Sequence, residues 1–131
     1  RLPLRKALRA YASGGMDVSD GFVGDLTKML RVSGCAAEID MAKLPLSLAA
    51  RAARAALDVA PRLFETIATG GDDYELIASV PESQCAAFEA AARIAGVAVT
   101  QVGIARAGQG AIFRDARGQP MDFGKGSFSH F

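Results

Sequence analysis

Acidic residues concentrate in a short segment that could bind a metal ion and a phosphate group. It is Asp17-Val-Ser-Asp-Gly21, which the residue pattern places where a strand ends and a helix begins. At a strand end Asp17 and Ser19 point to the same side. Asp20 follows at the helix entrance, where backbone N–H groups favour anions. Neighbouring carboxylates repel each other, and Mg²⁺, which binds carboxylate oxygens together with substrate phosphates, would relieve that repulsion.

The same segment also has a structural interpretation. Ser19 or Asp20 caps the helix by accepting an orphan backbone N–H, and Asp17 ends the strand in solvent. Two acidic residues at this spacing are common in proteins. The spacing alone therefore favours the structural interpretation over a metal site.

A second acidic segment follows later in the chain, Gly70-Gly-Asp-Asp-Tyr-Glu75. Its two glycines let the backbone approach a ligand closely, and its three carboxylates lead into a strand that we predict to be largely buried. The structural alternative is a helix end followed by a polar loop. The glycine pair does not begin a P-loop, because no Gly-Lys-Ser/Thr follows it. By itself the segment does not distinguish these interpretations.

Other polar residues carry weaker signals. The single histidine, His130, lies next to the last residue, and a terminal position disfavours a histidine-dependent nucleophilic mechanism. The nearby Phe128 and Phe131 are expected to dock onto a surface, most simply that of the domain itself. Asp25 and Lys28 are spaced i, i+3 on a predicted helix, and we expect them to form a solvated pair of small energetic effect.

The composition indicates one soluble globular domain. The chain has 131 residues, of which 50% are hydrophobic and 22% charged, with a net charge of +1. This balance gives no reason to expect nucleic acid or an anionic membrane as a partner. Cys35 and Cys85 form no zinc-binding pattern, which favours reduced cysteines in a cytoplasmic protein. Because the chain begins without Met, we expect it to start within a longer protein.

Helices and strands alternate along most of the chain. This alternation predicts an α+β fold, in which a mixed sheet is packed by helices. We expect Ala111-Ile-Phe113 to pair back on the Val102–Ile104 strand as a hairpin, and Asp115-Ala-Arg-Gly118 to form a tight turn. The predicted helices cover residues 4–12, 22–33, 47–59, 61–69 and 82–95, and the predicted strands begin near residues 16, 35, 74, 97 and 111.

Three segments resemble those of thiamine-monophosphate kinases. Met16-Asp-Val-Ser-Asp-Gly-Phe-Val-Gly-Asp-Leu26 resembles the family's Met-Ile-Asp-Ile-Ser-Asp-Gly-Leu-x-x-Asp-Leu stretch. Ala68-Thr-Gly-Gly-Asp-Asp-Tyr-Glu-Leu76 resembles its Gly-Gly-Glu-Asp-Tyr-Glu-Leu segment, and Gly126-Ser-Phe-Ser-His-Phe131 is similar to its Gly-aromatic-x-His-Phe ending. The segments occur in the family's order, and the resemblance covers nearly the whole chain.

The resemblance implies a fold and an activity. The family belongs to the aminoimidazole-ribonucleotide-synthetase superfamily, whose members join an N-terminal domain, with most of the metal-binding Asp residues and the dimer contacts, to a C-terminal domain like this one. It phosphorylates thiamine monophosphate to thiamine diphosphate with ATP and several Mg²⁺ ions. Residues 1–131 would then be a single C-terminal domain of a homodimeric protein, inactive without the N-terminal domain.

The resemblance also assigns roles to residues. Asp17 and Asp20 match metal-binding positions, and Ser19 matches a position that contacts ATP. Asp72 matches a substrate-contact position, and Phe128 matches an aromatic that packs on the thiamine, as a flat ring does against a cationic heterocycle. No separate catalytic residue is implied, because phosphoryl transfer depends on positioning and on charge neutralisation by metal ions.

The sequence departs from the family pattern at three positions. Asp72 replaces the usual Glu, Phe128 stands where Trp or Tyr is also found, and Ser129 stands where Asp is common. These departures bear on the substrate more than on the fold. Two alternatives stay open: another ATP-using member of the superfamily, such as a purine-pathway or selenophosphate synthetase or a hydrogenase-maturation protein, and a non-catalytic binding module with the same fold.

Overall fold

The computed structural model describes residues 2–56, 60–70 and 75–124. Its helices follow the predicted order, with boundaries within a few residues of the sequence pattern. The strand predicted to begin near residue 97 begins instead at Gly103, and a short last strand at Pro120–Met121 was not predicted. The helices are α1 (Arg5–Tyr11), α2 (Phe22–Ser33), α3 (Leu48–Ala56), α4 (Ala60–Thr69) and α5 (Cys85–Ile94). The strands are β1 (Gly14–Val18), β2 (Cys35–Asp40), β3 (Glu75–Ser79), β4 (Gly103–Ala107), β5 (Gly110–Arg114) and β6 (Pro120–Met121).

The strands form two separate sheets. An antiparallel ribbon consists of β1 and β3, and a four-stranded mixed sheet has the order β4-β2-β5-β6. In the mixed sheet β2 is antiparallel to β4 and parallel to β5. The α+β class with a mixed sheet packed by helices is therefore confirmed.

The predicted hairpin between the fourth and fifth strands is wrong. Both strands pair with β2, one on each side, so β2 separates them. The Gly108–Gln109 connection passes over the start of β2, where the Gly108 N–H donates to the Gly34 carbonyl at 3.2 Å. The physical reason is burial, because a central position in the sheet covers Ala37 and Ile39 of β2.

Helix α2 joins the two sheets. Its apolar side packs on β1 of the ribbon and on β2 and β5 of the mixed sheet. Gly34 ends the helix in the left-handed conformation, as predicted. The main core around this helix consists of Val18, Phe22, Val23, Leu26, Leu30, Ala37, Ile39, Met41, Phe64, Ala68, Phe113 and Phe123. A smaller core lies between α1 and α5.

The ribbon has one packed face and one open face. Ile77 of β3 packs against the main core, but Leu76 is 42% exposed. The prediction of a largely buried strand here is therefore wrong among the described residues. Its alternating apolar residues are those of a strand with one covered face, and Leu76 lies across from Asp17 on the open face.

Candidate functional site

The first acidic segment occupies the end of β1 and the turn into α2. Strand alternation directs Val18 into the core and leaves Asp17 exposed on the open face of the ribbon. Ser19 and Asp20 follow outside the strand and are half-buried. The predicted helix cap is wrong, because Gly21 occupies the N-cap position and no side chain of that residue can serve as a cap.

A buried carboxylate holds this turn in place. Asp25, in the first turn of α2, is 1% exposed. Among the described residues it is the only charged side chain that is buried. Its Oδ2 atom accepts the backbone N–H groups of Ser19 and Asp20, each at 2.9 Å. Both N–H groups precede the N-cap residue Gly21. Asp25 therefore anchors the turn that leads into α2 and does not cap the helix.

Lys28 connects this buried carboxylate to the half-buried carboxylate of Asp20. Its Nζ lies 3.0 Å from Asp25 Oδ1 and 3.0 Å from Asp20 Oδ2. The prediction of a solvated Asp25–Lys28 pair is wrong, because one partner is buried and the other also binds Asp20. Asp25 lies three residues after Phe22 and one before Leu26, on the apolar side of the helix. That placement was the sequence signal for its burial.

The hydrogen bonds of this cluster keep both groups charged at neutral pH. Burial raises the pKa of Asp25. The hydrogen bonds from the Asp20 N–H, the Lys28 ammonium and the Ser19 N–H together lower the pKa by more than burial raises it, so that it lies below the ordinary 3.8. The pKa of Lys28 is raised above 10.5, first by its bond to Asp20 and then by its bond to Asp25. The turn thus contains a fixed network of charges.

The second acidic segment begins beside the first. In the antiparallel ribbon Val18 pairs with Glu75 and Asp17 pairs with Leu76, so the end of β1 lies next to the start of β3. Gly21 packs directly against the backbone of Thr69 and Gly70 at the end of α4. The fold therefore brings together two segments that are about 50 residues apart in the sequence. Asp72 and Phe128 lie outside the described residues.

The contact at Gly21 depends on the absence of a side chain. Gly21 has φ 109°, and a Cβ atom there would lie 2.6 Å from the Thr69 carbonyl carbon and oxygen. We expect Gly21→Ala to lower the free energy of unfolding by about 2 kcal/mol, from backbone strain and crowding combined. Urea denaturation of the purified variant measures this loss.

Gly118→Ala is the matched control for that variant. Gly118 also has a positive φ, 77°, but nothing lies within 4 Å of its Cβ position. The control carries the strain of a positive φ without the crowding, so it should destabilise the protein less. Equal losses in the two variants would contradict a tight contact between Gly21 and the end of α4.

The comparisons with known proteins decide the family. A family model described as "AIR synthase related protein, C-terminal domain" matches residues 3–115. The chain belongs to this family. Since the match covers most of the chain, the sequence resemblance to this superfamily is confirmed.

The relatives of this AIR synthase related domain include thiamine-monophosphate kinases. That of Caulobacter vibrioides is 40% identical over 113 residues, which are 84% of this chain and 31% of the relative. The crystal structure of the Stenotrophomonas maltophilia K279a kinase has a TM-score of 0.71 at 34% identity and covers 81% of this chain and 32% of its own. A structure described as AaThiL complexed with AMPPCP and TMP has a TM-score of 0.73 at 28% identity, covering 96% and 36%. The chain thus spans about a third of these relatives.

Asp17 and Asp20 of this AIR synthase related domain carry carboxylate oxygens, the type of ligand that Mg²⁺ prefers. No group of three or more His, Cys, Asp or Glu residues in the described ranges could hold a metal ion. Mg²⁺, however, is often bound by one or two carboxylates and completed by substrate phosphates. Asp17 and Asp20 supply oxygens of this kind. The Lys28 ammonium, 3.0 Å from Asp20, shows that this carboxylate accommodates a cation.

The described helices also bear on a membrane location. None of them combines the length and apolar character that a membrane span requires.

Proposed function

We propose that this chain is the C-terminal domain of a kinase that transfers a phosphoryl group from ATP to thiamine monophosphate, giving thiamine diphosphate. The observation that carries the proposal is the convergence of its two acidic segments at the end of β1. Support comes from the kinases that the chain resembles and from the AaThiL complex with AMPPCP, an ATP analogue, and TMP.

The backbone geometry favours a metal-dependent phosphate site. Asp25 already accepts the Ser19 and Asp20 N–H groups, which a phosphate-binding loop would direct at its ligand. These two N–H groups are therefore not directed at a bound anion. The turn presents the carboxylates of Asp17 and Asp20 instead, and carboxylates hold phosphates only through cations. Bound Mg²⁺ would supply the neutralising charge for phosphoryl transfer.

Each residue in the proposal has a distinct role. Asp17 and Asp20 hold Mg²⁺, and the Ser19 side chain contacts ATP at the same turn. Asp72 and Phe128, outside the described residues, contact thiamine monophosphate. Phosphoryl transfer needs orientation and charge neutralisation more than a covalent contribution from the protein, so these positioning roles are sufficient for this domain.

The proposal includes partners beyond the chain. An N-terminal domain would supply further metal ligands, since two carboxylates do not organise several Mg²⁺ ions. The full-length protein would act as a homodimer in the cytoplasm, and residues 1–131 alone would have negligible activity.

The direct test uses the natural full-length protein with ATP, Mg²⁺ and thiamine monophosphate. We expect one thiamine diphosphate for each ADP, and no product from residues 1–131 alone. Chromatographic separation of thiamine phosphates measures the product. If the full-length protein binds ATP but forms no thiamine diphosphate, the substrate assignment is wrong and another ATP-using activity of the superfamily takes its place.

A further inference from the structure

A cation from the protein itself already occupies the Asp20 carboxylate. Lys28 Nζ lies 3.0 Å from Asp20 Oδ2. The side chains of Lys28 and Asp20 are 40% and 37% exposed, so water and ions reach the pair. A divalent cation that binds Asp20 must therefore share this carboxylate with an ammonium group or displace it.

The two carboxylates that bind Lys28 differ in their surroundings. Asp25 is 1% exposed, and its Oδ2 atom is already engaged by two backbone N–H groups. A buried charge without a partner is costly, so the ammonium remains with Asp25 Oδ1 if one of its two bonds breaks. Asp20 is the more exposed partner, and water can hydrate its carboxylate at little cost once Lys28 withdraws.

We propose that Lys28 is an internal counter-ion which a divalent cation displaces from Asp20, and that Asp25 is the positioning residue that retains the displaced ammonium. This inference rests on the proposed function in one respect, the binding of a metal ion by Asp20. It adds a determinant of metal affinity that lies on α2, outside the acidic segments. Lys28 lowers the affinity for the metal ion, and Asp25 limits that reduction.

The proposal predicts opposite effects for the two partners. Lys28→Met keeps the length of the side chain and removes its charge, so the metal ion no longer competes with an ammonium group. We expect metal affinity to rise about tenfold. Asp25→Asn keeps an oxygen for the two N–H groups but leaves Lys28 with Asp20 as its charged partner. We expect affinity to fall about tenfold.

The double variant separates competition from simple loss of structure. With Lys28 replaced by Met, the charge of Asp25 no longer determines where an ammonium group lies. Adding Lys28→Met to Asp25→Asn should therefore restore affinity to at least the wild-type value. If Asp25 had only a structural role, the double variant would bind the metal ion no better than Asp25→Asn. The effects of two substitutions on affinity offset each other only when the two side chains interact directly.

The measurement is Mn²⁺ binding by electron paramagnetic resonance, with AMPPCP present and no thiamine monophosphate, in the natural full-length protein. Mn²⁺ replaces Mg²⁺ because both prefer oxygen ligands. Lys43→Met is the matched control: Lys43 pairs at 3.4 Å with Asp40, the last residue of β2 in the other sheet, and its loss removes the same charge. We expect no change in Mn²⁺ affinity for this control.

The outcomes separate this inference from the proposed function. Tighter Mn²⁺ binding by Lys28→Met, but not by Lys43→Met, supports the inference even if Asp25→Asn fails to fold. Unchanged or weaker binding by Lys28→Met, in a protein whose wild type binds Mn²⁺ and forms thiamine diphosphate, overturns the inference alone. A wild type that binds no Mn²⁺ overturns the inference together with the metal site on which it rests.

Discussion

Asp17→Asn in the natural full-length protein is expected to lower kcat/KM for thiamine monophosphate by about a thousandfold, because a metal ion contributes several kcal/mol of charge stabilisation to phosphoryl transfer. The amide has nearly the shape of the carboxylate but none of its charge, and it is a poor ligand for Mg²⁺. Steady-state kinetics at saturating ATP measure the effect.

The exposure of Asp17 makes this variant informative. Its side chain lies on the open face of the ribbon and not in the core, so the unfolding midpoint should remain close to that of the wild type. Asp40→Asn is the control, since it removes the same charge from the other sheet. If the Asp17→Asn variant retained most of the wild-type kcat/KM, this carboxylate would not hold the metal ion.

Asp25→Ala is expected to lower the free energy of unfolding by about 4 kcal/mol. The substitution leaves two backbone N–H groups without their acceptor and removes a charged partner of Lys28. Groups of this kind are costly when they are buried and unpaired. Urea denaturation, followed by circular dichroism, measures the loss.

Asp25→Asn separates the two contributions. Its amide oxygen accepts both N–H groups, so the loss should be clearly smaller than for Asp25→Ala. If the two variants were equally destabilised, the charge pair with Lys28 would account for the stability and the two N–H bonds would not.

The pH dependence of stability follows from the same carboxylate. The pKa of Asp25 in the folded protein lies below 3.8, so the unfolded state takes up the proton first. The stabilising contribution is complete above pH 3.8 and is lost as the pH falls from there through the folded-state pKa. Asp25→Asn should lack this part of the acid-induced loss, and one acid titration of both proteins compares them.

The sequence by itself determined the local structure and the family. The apolar spacing of Phe22, Leu26 and Leu30 predicts α2, and Gly34 predicts its end, because helix periodicity and left-handed caps are properties of short segments. Asp115 likewise predicts its own turn, whose N–H groups it binds. Short motifs in a fixed order were sufficient to identify the superfamily.

The tertiary structure decided what depends on distant residues. It placed β2 between the fourth and fifth strands, where the sequence predicted a hairpin, because strand pairing is settled by the burial of Ala37 and Ile39 rather than by the turn. It buried Asp25 and joined it to Ser19 and Asp20, since the helix packs this side against both sheets. It also brought Gly21 against the end of α4, a contact between backbones that no side-chain pattern records.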